Sequence, residues 1–249
     1  MKIVNIKNSR KLNLVGDLYT ADSAKIIIMS HGFAYDRHEK ENKFDKIAES
    51  FNKVGYNVLK YDFSGSGESD DSPLTLANYI ADLKSVIKYA RENGYKDIIL
   101  FGASLGGLVS LSAYNEDIKA IVCLAPVSDK VDSQWRRKNF SEEDLLEIKK
   151  TGQVMHKAHG FRDKIIIDRQ YLLDREEVNQ KLLLRNIKCP VLIFHSNDDT
   201  YVPLKVSERA VKILGNKGEL YFIKDAGHAF LKHLDTVVNK TINWLAKKN

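Results

Sequence analysis

Ile98-Ile-Leu-Phe101-Gly102-Ala-Ser104-Leu105-Gly106 is the stretch of sequence that decides the fold. Its first four residues form a short apolar run, typical of a strand buried on both faces of a parallel sheet. A Gly-x-Ser-x-Gly pattern follows at once, and the run Leu105–Tyr114 has the apolar spacing of a helix. Strand, tight turn and helix in this order can expose a serine hydroxyl at the edge of a sheet. Ser104 is therefore the candidate nucleophile.

Similar short apolar runs recur along the chain and predict the sheet. Two alternating segments, Lys2–Lys7 and Leu12–Tyr19, predict an antiparallel pair at one edge. The other predicted strands are Ile26–Ser30, Asn57–Tyr61, Ile98–Phe101, Ala120–Leu124, Val191–His195 and Leu220–Ile223. Helical spacing separates them, at Glu39–Val54, Leu76–Asn93, Leu105–Tyr114, Leu204–Leu214 and His233–Lys247. Strands that alternate with helices predict an α/β fold with a doubly wound, mostly parallel sheet of eight strands.

One long interval breaks this alternation. About 60 residues separate the predicted strand that ends near Ala125 from the one that starts at Val191, whereas a crossover needs only about a dozen. The interval contains a polar, helix-like stretch at Ser141–Lys150. We therefore expect residues 1–127 and 187–249 to form the core of the fold. Residues 128–186 are expected to form a small inserted helical cap at the carboxyl edge of the sheet, where ligands bind in such folds.

A serine at its free pKa is a poor nucleophile and needs a general base. His228 follows the predicted strand Leu220–Ile223, so a loop at the carboxyl end of that strand can bring it to Ser104. His233 lies in the last predicted helix and is less well placed. We expect His156 and His159 to be surface residues of the cap, since no third ligand stands out that would make them a metal site.

The base needs a carboxylate that orients it, and two adjacent aspartates follow the predicted strand Val191–His195. Asp198 and Asp199 are both candidates, and their spacing alone leaves the choice open. The chain order of serine, aspartate and histidine is the order of the triad in this type of fold.

An oxyanion hole needs two backbone N–H donors. The amide of Leu105, at the N-terminus of the predicted helix, is one candidate. The amide of Phe33 is the other, because His31-Gly32-Phe33 directly follows a predicted strand and Gly32 allows close approach of the backbone to a ligand. We expect His31 to brace this loop rather than to react.

Composition limits the partners of the chain. Its net charge of +6 comes from 39 basic and 33 acidic residues that are interspersed, so a nucleic-acid partner is not expected. No apolar stretch is long enough to span a membrane, and the N-terminus lacks the apolar core of a signal peptide, so we expect no stable membrane insertion and a cytoplasmic location. Cys123 and Cys189 lie in apolar runs and are expected to be buried thiols.

Several motifs together resemble the α/β-hydrolase superfamily. They are His31-Gly32-Phe33, Asp62-Phe-Ser-Gly65-Ser-Gly67-Glu-Ser69, Gly102-Ala-Ser104-Leu-Gly106-Gly107, Asp199-Thr-Tyr-Val-Pro203 and Gly227-His228. Within the superfamily the chain is similar to small-cap serine esterases: the cinnamoyl or feruloyl esterases, the monoacylglycerol-lipase-like enzymes and the serine aminopeptidase-like group. The family places its acid in an Asp-x-x-Val-Pro pattern, so the resemblance implies Asp199 rather than Asp198. Ser64 stands where the family often has arginine, so this motif does not assign the chain to one subfamily.

The resemblance implies a serine carboxylesterase that acts on a small or medium acyl or aryl ester, a small-molecule substrate. Ser104, His228 and Asp199 are the expected catalytic residues, Phe33 and Leu105 the expected oxyanion donors, and neither a metal nor an organic cofactor is expected. Two alternatives stay open. In the first, the same triad acts on a thioester, amide or carbon–carbon bond. In the second, the chain is a non-catalytic ligand-binding protein that kept the fold.

Overall fold

The computed structural model describes residues 1–131 and 133–248 and contains ten strands within these ranges. They are β1 (Lys2–Lys7), β2 (Asn13–Tyr19), β3 (Lys25–Ser30), β4 (Asn57–Tyr61), β5 (Asp97–Ala103), β6 (Ile118–Leu124), β7 (Gln153–Lys157), β8 (Lys164–Asp168), β9 (Val191–His195) and β10 (Gly218–Phe222). Eight of them form one sheet in the order β1-β2-β4-β3-β5-β6-β9-β10, and β7 pairs with β8 in a separate hairpin. In the large sheet β2 runs antiparallel to β1 and β4, and all other pairs are parallel. The predicted fold class is confirmed.

The central strands are mostly apolar because both faces of the sheet are covered. The helices are α1 (Lys43–Lys53), α2 (Leu76–Glu92), α3 (Leu105–Ser112), α4 (Ser133–Asn139), α5 (Glu142–Thr151), α6 (Arg169–Glu177), α7 (Gln180–Arg185), α8 (Leu204–Leu214) and α9 (Leu234–Ala246). Phe44 and Phe51 of α1 pack with Trp244 of α9 on one face. Leu83 of α2 and Val109 of α3 belong to the core on the other face. The result is three layers, with the sheet in the middle.

The segment between β6 and β9 holds α4 to α7 and also the β7–β8 hairpin, which the sequence analysis did not predict. The inserted segment therefore contains a two-stranded hairpin in addition to the expected helices. Each strand of the hairpin has only five residues. The hairpin is supported from outside, because the Leu74 amide donates to the Ile166 carbonyl at 2.8 Å and the Ile165 and Ile167 side chains are buried. The apolar pattern of residues 153–168 gives no sign of this contact, because Leu74 is far away in the sequence.

Parallel strands end at the same edge of a sheet, and this edge gathers the chemistry-bearing loops. Ser30, at the end of β3, pairs with Gly102 of β5, so the loop after β3 lies beside Ser104. His195 of β9 pairs with Phe222 of β10, so the loops that carry Asp199 and His228 are also adjacent. Among the described helices, none has the length and apolar character needed to cross a bilayer.

Candidate active site

Ser104 occupies the sharp turn between β5 and α3. Its φ of 52° and ψ of −110° lie in a region that residues with a side chain rarely adopt. The turn is held on both sides, since the Ser104 amide donates to the Leu124 carbonyl at 2.8 Å and the Val127 amide donates to the Ser104 carbonyl at 3.2 Å. Strained backbone of this kind persists only where the surrounding contacts enforce it, as they do at nucleophile turns.

The glycines on either side of Ser104 are required by close packing of α3 against the sheet. A Cβ atom at Gly102 would lie 2.3 Å from the carbonyl oxygen of Gly106, and one at Gly106 would lie 2.0 Å from that of Ser30. Both distances are far below a van der Waals contact. The Gly-x-Ser-x-Gly pattern is thus a steric requirement of this turn.

His228 and Asp199 are joined by a hydrogen bond across the loops that follow β10 and β9. The distance from His228 Nδ1 to Asp199 Oδ2 is 2.7 Å. Asp199 Oδ1 accepts from the amides of Tyr201 and Val202 at 2.8 and 2.9 Å, which fixes the carboxylate. Burial acts to raise the pKa of Asp199, but the His228 bond and the two amides outweigh it, so the pKa lies below its ordinary value. The carboxylate is therefore ionised and holds the His228 proton on Nδ1.

Asp198 has a different task from its neighbour. Its Oδ1 accepts from the Ser196 hydroxyl at 2.5 Å and from the Gly227 amide at 2.8 Å. It therefore ties the loop after β9 to the residue that precedes His228. Sequence spacing did not decide which aspartate contacts the histidine. In the structure Asp199 bonds His228, whereas Asp198 bonds the loop that carries it.

Phe33 lies in the loop after β3, and Leu105 follows Ser104 directly in the chain. Neither amide donates a hydrogen bond to any residue that the structure describes, and both residues line the same cavity as Ser104. His31 braces the first loop, because its Nε2 accepts from the Phe63 amide at 3.2 Å while its Nδ1 bonds the Gly32 carbonyl at 2.9 Å. Backbone N–H groups without a protein acceptor, in the same cavity as a serine, are candidates for the donors of an oxyanion hole.

Glu39 is a buried residue of this region that the sequence analysis did not single out. Its Oε1 accepts from the Gly32 amide at 2.5 Å, and its Oε2 lies 3.3 Å from Lys43 Nζ. The pair holds the loop that carries Phe33. The acid–base spacing of four residues at a helix start was visible in the sequence, but such pairs are usually solvent-exposed and gave no reason to select this one.

A cavity of about 280 Å³ lies over these groups. Its volume is close to the lower end of the range of roughly 300–1,000 Å³ for small-molecule sites. The floor comes from the loops at the sheet edge, and the rest of the lining comes from the segment between β6 and β9, namely Trp135, Lys138, Asn139, His156, His159, Tyr171 and Arg175. The site thus combines a strained serine, a carboxylate-bound histidine and free backbone donors under a wall of aromatic and basic side chains.

A family model described as "Serine aminopeptidase, S33" matches residues 21–168 of this chain. The chain belongs to that family. Membership of the α/β-hydrolase superfamily, which the motifs indicated, is confirmed.

Relatives and solved structures agree with this assignment. The mitochondrial palmitoyl-protein thioesterase ABHD10 of Bos taurus is 25% identical over 197 residues, which cover 76% of this chain and 62% of that protein. Caffeoylshikimate esterase of Arabidopsis thaliana is 37% identical over 98 residues, covering 35% of this chain and 27% of that protein. The chain thus spans less than two thirds of the length of these curated relatives. Est1E of Butyrivibrio proteoclasticus with bound ferulic acid superposes with a TM-score of 0.80, at 22% identity over 98% of both chains.

One of the two histidines in the segment between β6 and β9 differs from expectation. His156 is half-buried, with its ring 5.3 Å from that of Phe33 and 5.1 Å from that of Phe140, so the prediction of a surface residue is wrong for it. Burial lowers its pKa, which keeps the ring neutral near pH 7. His159 is exposed and stacks on Tyr35 at 5.0 Å at the cavity wall. A segment folded back over the sheet buries side chains that look like surface residues in the sequence.

A group of metal-ligand type lies elsewhere in the hydrolase, at Asp17, His38 and Asp45, whose ligand atoms are within 4.8 Å of one another. The ammonium of Lys60 lies among them. It pairs with Asp17 and approaches Asp45 Oδ1 at 3.1 Å and His38 Nδ1 at 3.2 Å. Because a buried cation of the chain already neutralises these carboxylates, the group fits a metal poorly.

Proposed function

We propose that the chain is a serine carboxylesterase that hydrolyses a small or medium acyl or aryl ester through Ser104, His228 and Asp199. The observation that carries the proposal is the 2.7 Å bond from His228 Nδ1 to the buried Asp199, in a histidine that shares a cavity with the strained Ser104. The bond leaves Nε2 of His228 free to accept a proton. A base in that state is what a serine hydroxyl needs in order to attack a carbonyl.

The reaction proceeds in two acyl transfers. Ser104 Oγ attacks the ester carbonyl carbon while His228 Nε2 takes its proton, and the tetrahedral oxyanion accepts from the Phe33 and Leu105 amides. The C–O bond to the alcohol then breaks, and His228 returns the proton to the leaving oxygen. Water repeats the sequence on the acyl-enzyme, releasing the acid and Ser104. Asp199 stabilises the positive imidazole in both steps.

We further propose that residues 128–186 act as a cap on a core made of residues 1–127 and 187–249. Side chains from this segment form much of the cavity lining, and the Phe33 ring stacks on Tyr171 at 5.5 Å with an interplanar angle of 8°. The cap therefore helps to define the space available to the ester.

A Ser104→Ala variant tests the triad. We expect loss of p-nitrophenyl butyrate hydrolysis and of labelling by a fluorophosphonate, with an unchanged melting curve, because only the reacting hydroxyl is removed. A non-catalytic binding protein on this fold predicts no labelling of the wild type at all.

The bond cleaved is a separate question, because the matched ABHD10 proteins are named thioesterases. A panel of oxygen ester, thioester and amide substrates of the same acyl group separates these possibilities. An oxygen ester should give the highest kcat/KM, and a markedly faster thioester would replace the ester assignment while leaving the triad intact.

A further inference from the structure

The catalytic cavity is lined by more positive than negative side chains. Lys40, Lys43, Lys138 and Arg175 contribute to its lining, against the single carboxylate of Glu39 among the lining residues that the structure describes. Two of the lysines have protein partners. Lys43 lies 3.3 Å from Glu39 Oε2, and Lys138 donates to the Thr200 carbonyl at 2.7 Å. Lys40 is exposed to solvent.

Arg175 stands apart from these lysines because it is buried and no carboxylate of the described residues lies within ion-pair distance of it. It lies on α6 with 2% of its surface exposed. Its Nη2 donates to the Asp129 carbonyl oxygen at 3.2 Å, while Nη1 has no hydrogen-bond partner within the described ranges. The carboxylate of Asp129 is occupied elsewhere, as its Oδ2 lies 2.6 Å from Arg209 Nη1.

Such an arrangement is unfavourable in the empty protein. A buried charge without an ion-pair partner loses its hydration and gains little in return. Burial lowers the pKa of Arg175, yet a guanidinium still remains protonated at neutral pH. An arginine with a purely structural role would donate hydrogen bonds from both Nη1 and Nη2 to acceptors of the protein. Here the free donor belongs to a residue that lines the cavity of Ser104.

We propose that Arg175 binds an anionic group of the substrate, so that the preferred ester carries a carboxylate in addition to the ester that is cleaved. This inference rests on the proposed function of Ser104. A guanidinium matches a carboxylate in charge and geometry, and the bond forms where water is largely excluded. Because the cavity measures about 280 Å³, the carboxylate and the ester carbonyl belong to one small molecule.

Two matched substrate pairs test this proposal, one for each side of the ester. Mono-p-nitrophenyl glutarate and p-nitrophenyl pentanoate differ by a carboxylate on the acyl part, and 4-butyryloxybenzoate and phenyl butyrate differ by one on the alcohol part. In at least one pair we expect the wild type to favour the anionic ester by about 10- to 100-fold in kcat/KM. Most of the difference should lie in KM, because the contact forms in both the ground state and the transition state.

Arg175→Met should abolish the preference, because the variant lacks the positive charge that the carboxylate would contact. Arg175→Lys should retain part of it, since the charge remains. Lys138→Met is the matched control, because it removes a cavity cation that already has a protein partner, and we expect the preference to change by less than about fivefold. The melting temperature of Arg175→Met should not fall, because an unpaired buried charge is replaced by an apolar side chain.

The proposal is overturned if neither pair shows a preference in the wild type, or if Arg175→Met keeps it. That result, with fluorophosphonate labelling and neutral-ester hydrolysis intact, leaves the triad assignment standing. If the wild type hydrolyses none of the esters and is not labelled, the proposed function fails instead. Calorimetric binding of 4-butyryloxybenzoate and phenyl butyrate to Ser104→Ala then decides the role of Arg175, which requires tighter binding of the anion.

Discussion

Asp199→Asn is the sharpest test of the triad because the surrounding hydrogen bonds dictate how the new side chain must sit. Asp199 Oδ1 accepts two backbone N–H groups, from Tyr201 and Val202, while Oδ2 faces His228 Nδ1. The carboxamide oxygen of asparagine must occupy the Oδ1 position, since an NH₂ group there would meet two donors. The NH₂ group then points at His228 and donates to Nδ1. The ring proton moves to Nε2, where it prevents His228 from accepting the proton of Ser104.

The size of the effect follows from the loss of the correct tautomer and of imidazolium stabilisation. We expect kcat for p-nitrophenyl butyrate to fall about 10⁴-fold, equivalent to about 5.5 kcal/mol in the activation free energy. Stopped or continuous release of p-nitrophenolate measures the rate, and a thermal melt followed by circular dichroism verifies that the variant is folded. The side chain keeps its volume, so KM should change far less than kcat.

The neighbouring residue supplies the control. In Asp198→Asn the amide oxygen can still accept from Ser196 and Gly227, so we expect kcat to fall by less than about threefold. Retention of more than a tenth of the wild-type kcat in Asp199→Asn would refute the argument. An equal loss in both variants would also contradict it, because the damage would then come from the loop and not from the tautomer.

Three further variants address the fold and its pH dependence. Gly106→Ala places a Cβ 2.0 Å from the Ser30 carbonyl oxygen, so urea denaturation should show a loss of about 1–3 kcal/mol or more in the free energy of unfolding. Lys60→Met removes one of the two buried cations that pair with Asp17 and leaves Arg37 Nε at 3.1 Å, so the same assay should show a loss of about 1.5–3 kcal/mol. Burial lowers the pKa of His156 below its ordinary value of 6.5 in the folded protein. As the pH falls through 6.5, the imidazole is therefore protonated more readily in the unfolded chain, and the free energy of unfolding decreases. His156→Phe should therefore flatten the decline of the melting temperature between about pH 7 and pH 5.

Local patterns were sufficient for the core of the fold. Largely apolar runs such as Val191–His195 coincide with strands, because a strand covered on both faces is apolar at most of its positions. Helical spacing predicted α8 at Leu204–Leu214, because a helix that packs on the sheet along one side has apolar residues every three or four positions. The β7–β8 hairpin was missed, since its stability depends on Leu74, which lies far away in the sequence.

The candidate site divides in the same way. Ser104 is marked by its own neighbours, because the glycines that the turn requires are adjacent in the chain. No neighbouring sequence motif of this kind identifies Glu39 or Arg175. Each is one charged residue among many in the sequence, and only the three-dimensional structure shows that both are buried at the cavity.

The sequence by itself therefore determined the strand–turn–helix at Ser104 and the order of serine, acid and base, because these depend on residues that are neighbours along the chain. Tertiary structure showed that Asp199 contacts His228 and that Asp198 holds its loop. It also showed that Arg175 lines the same cavity as Ser104, with an Nη1 that has no hydrogen-bond partner among the described residues. These facts depend on distances between loops from different strands and on which side chains lose contact with water. Burial and partner geometry are properties of the folded chain, and they turn ordinary charged residues into specific groups of the site.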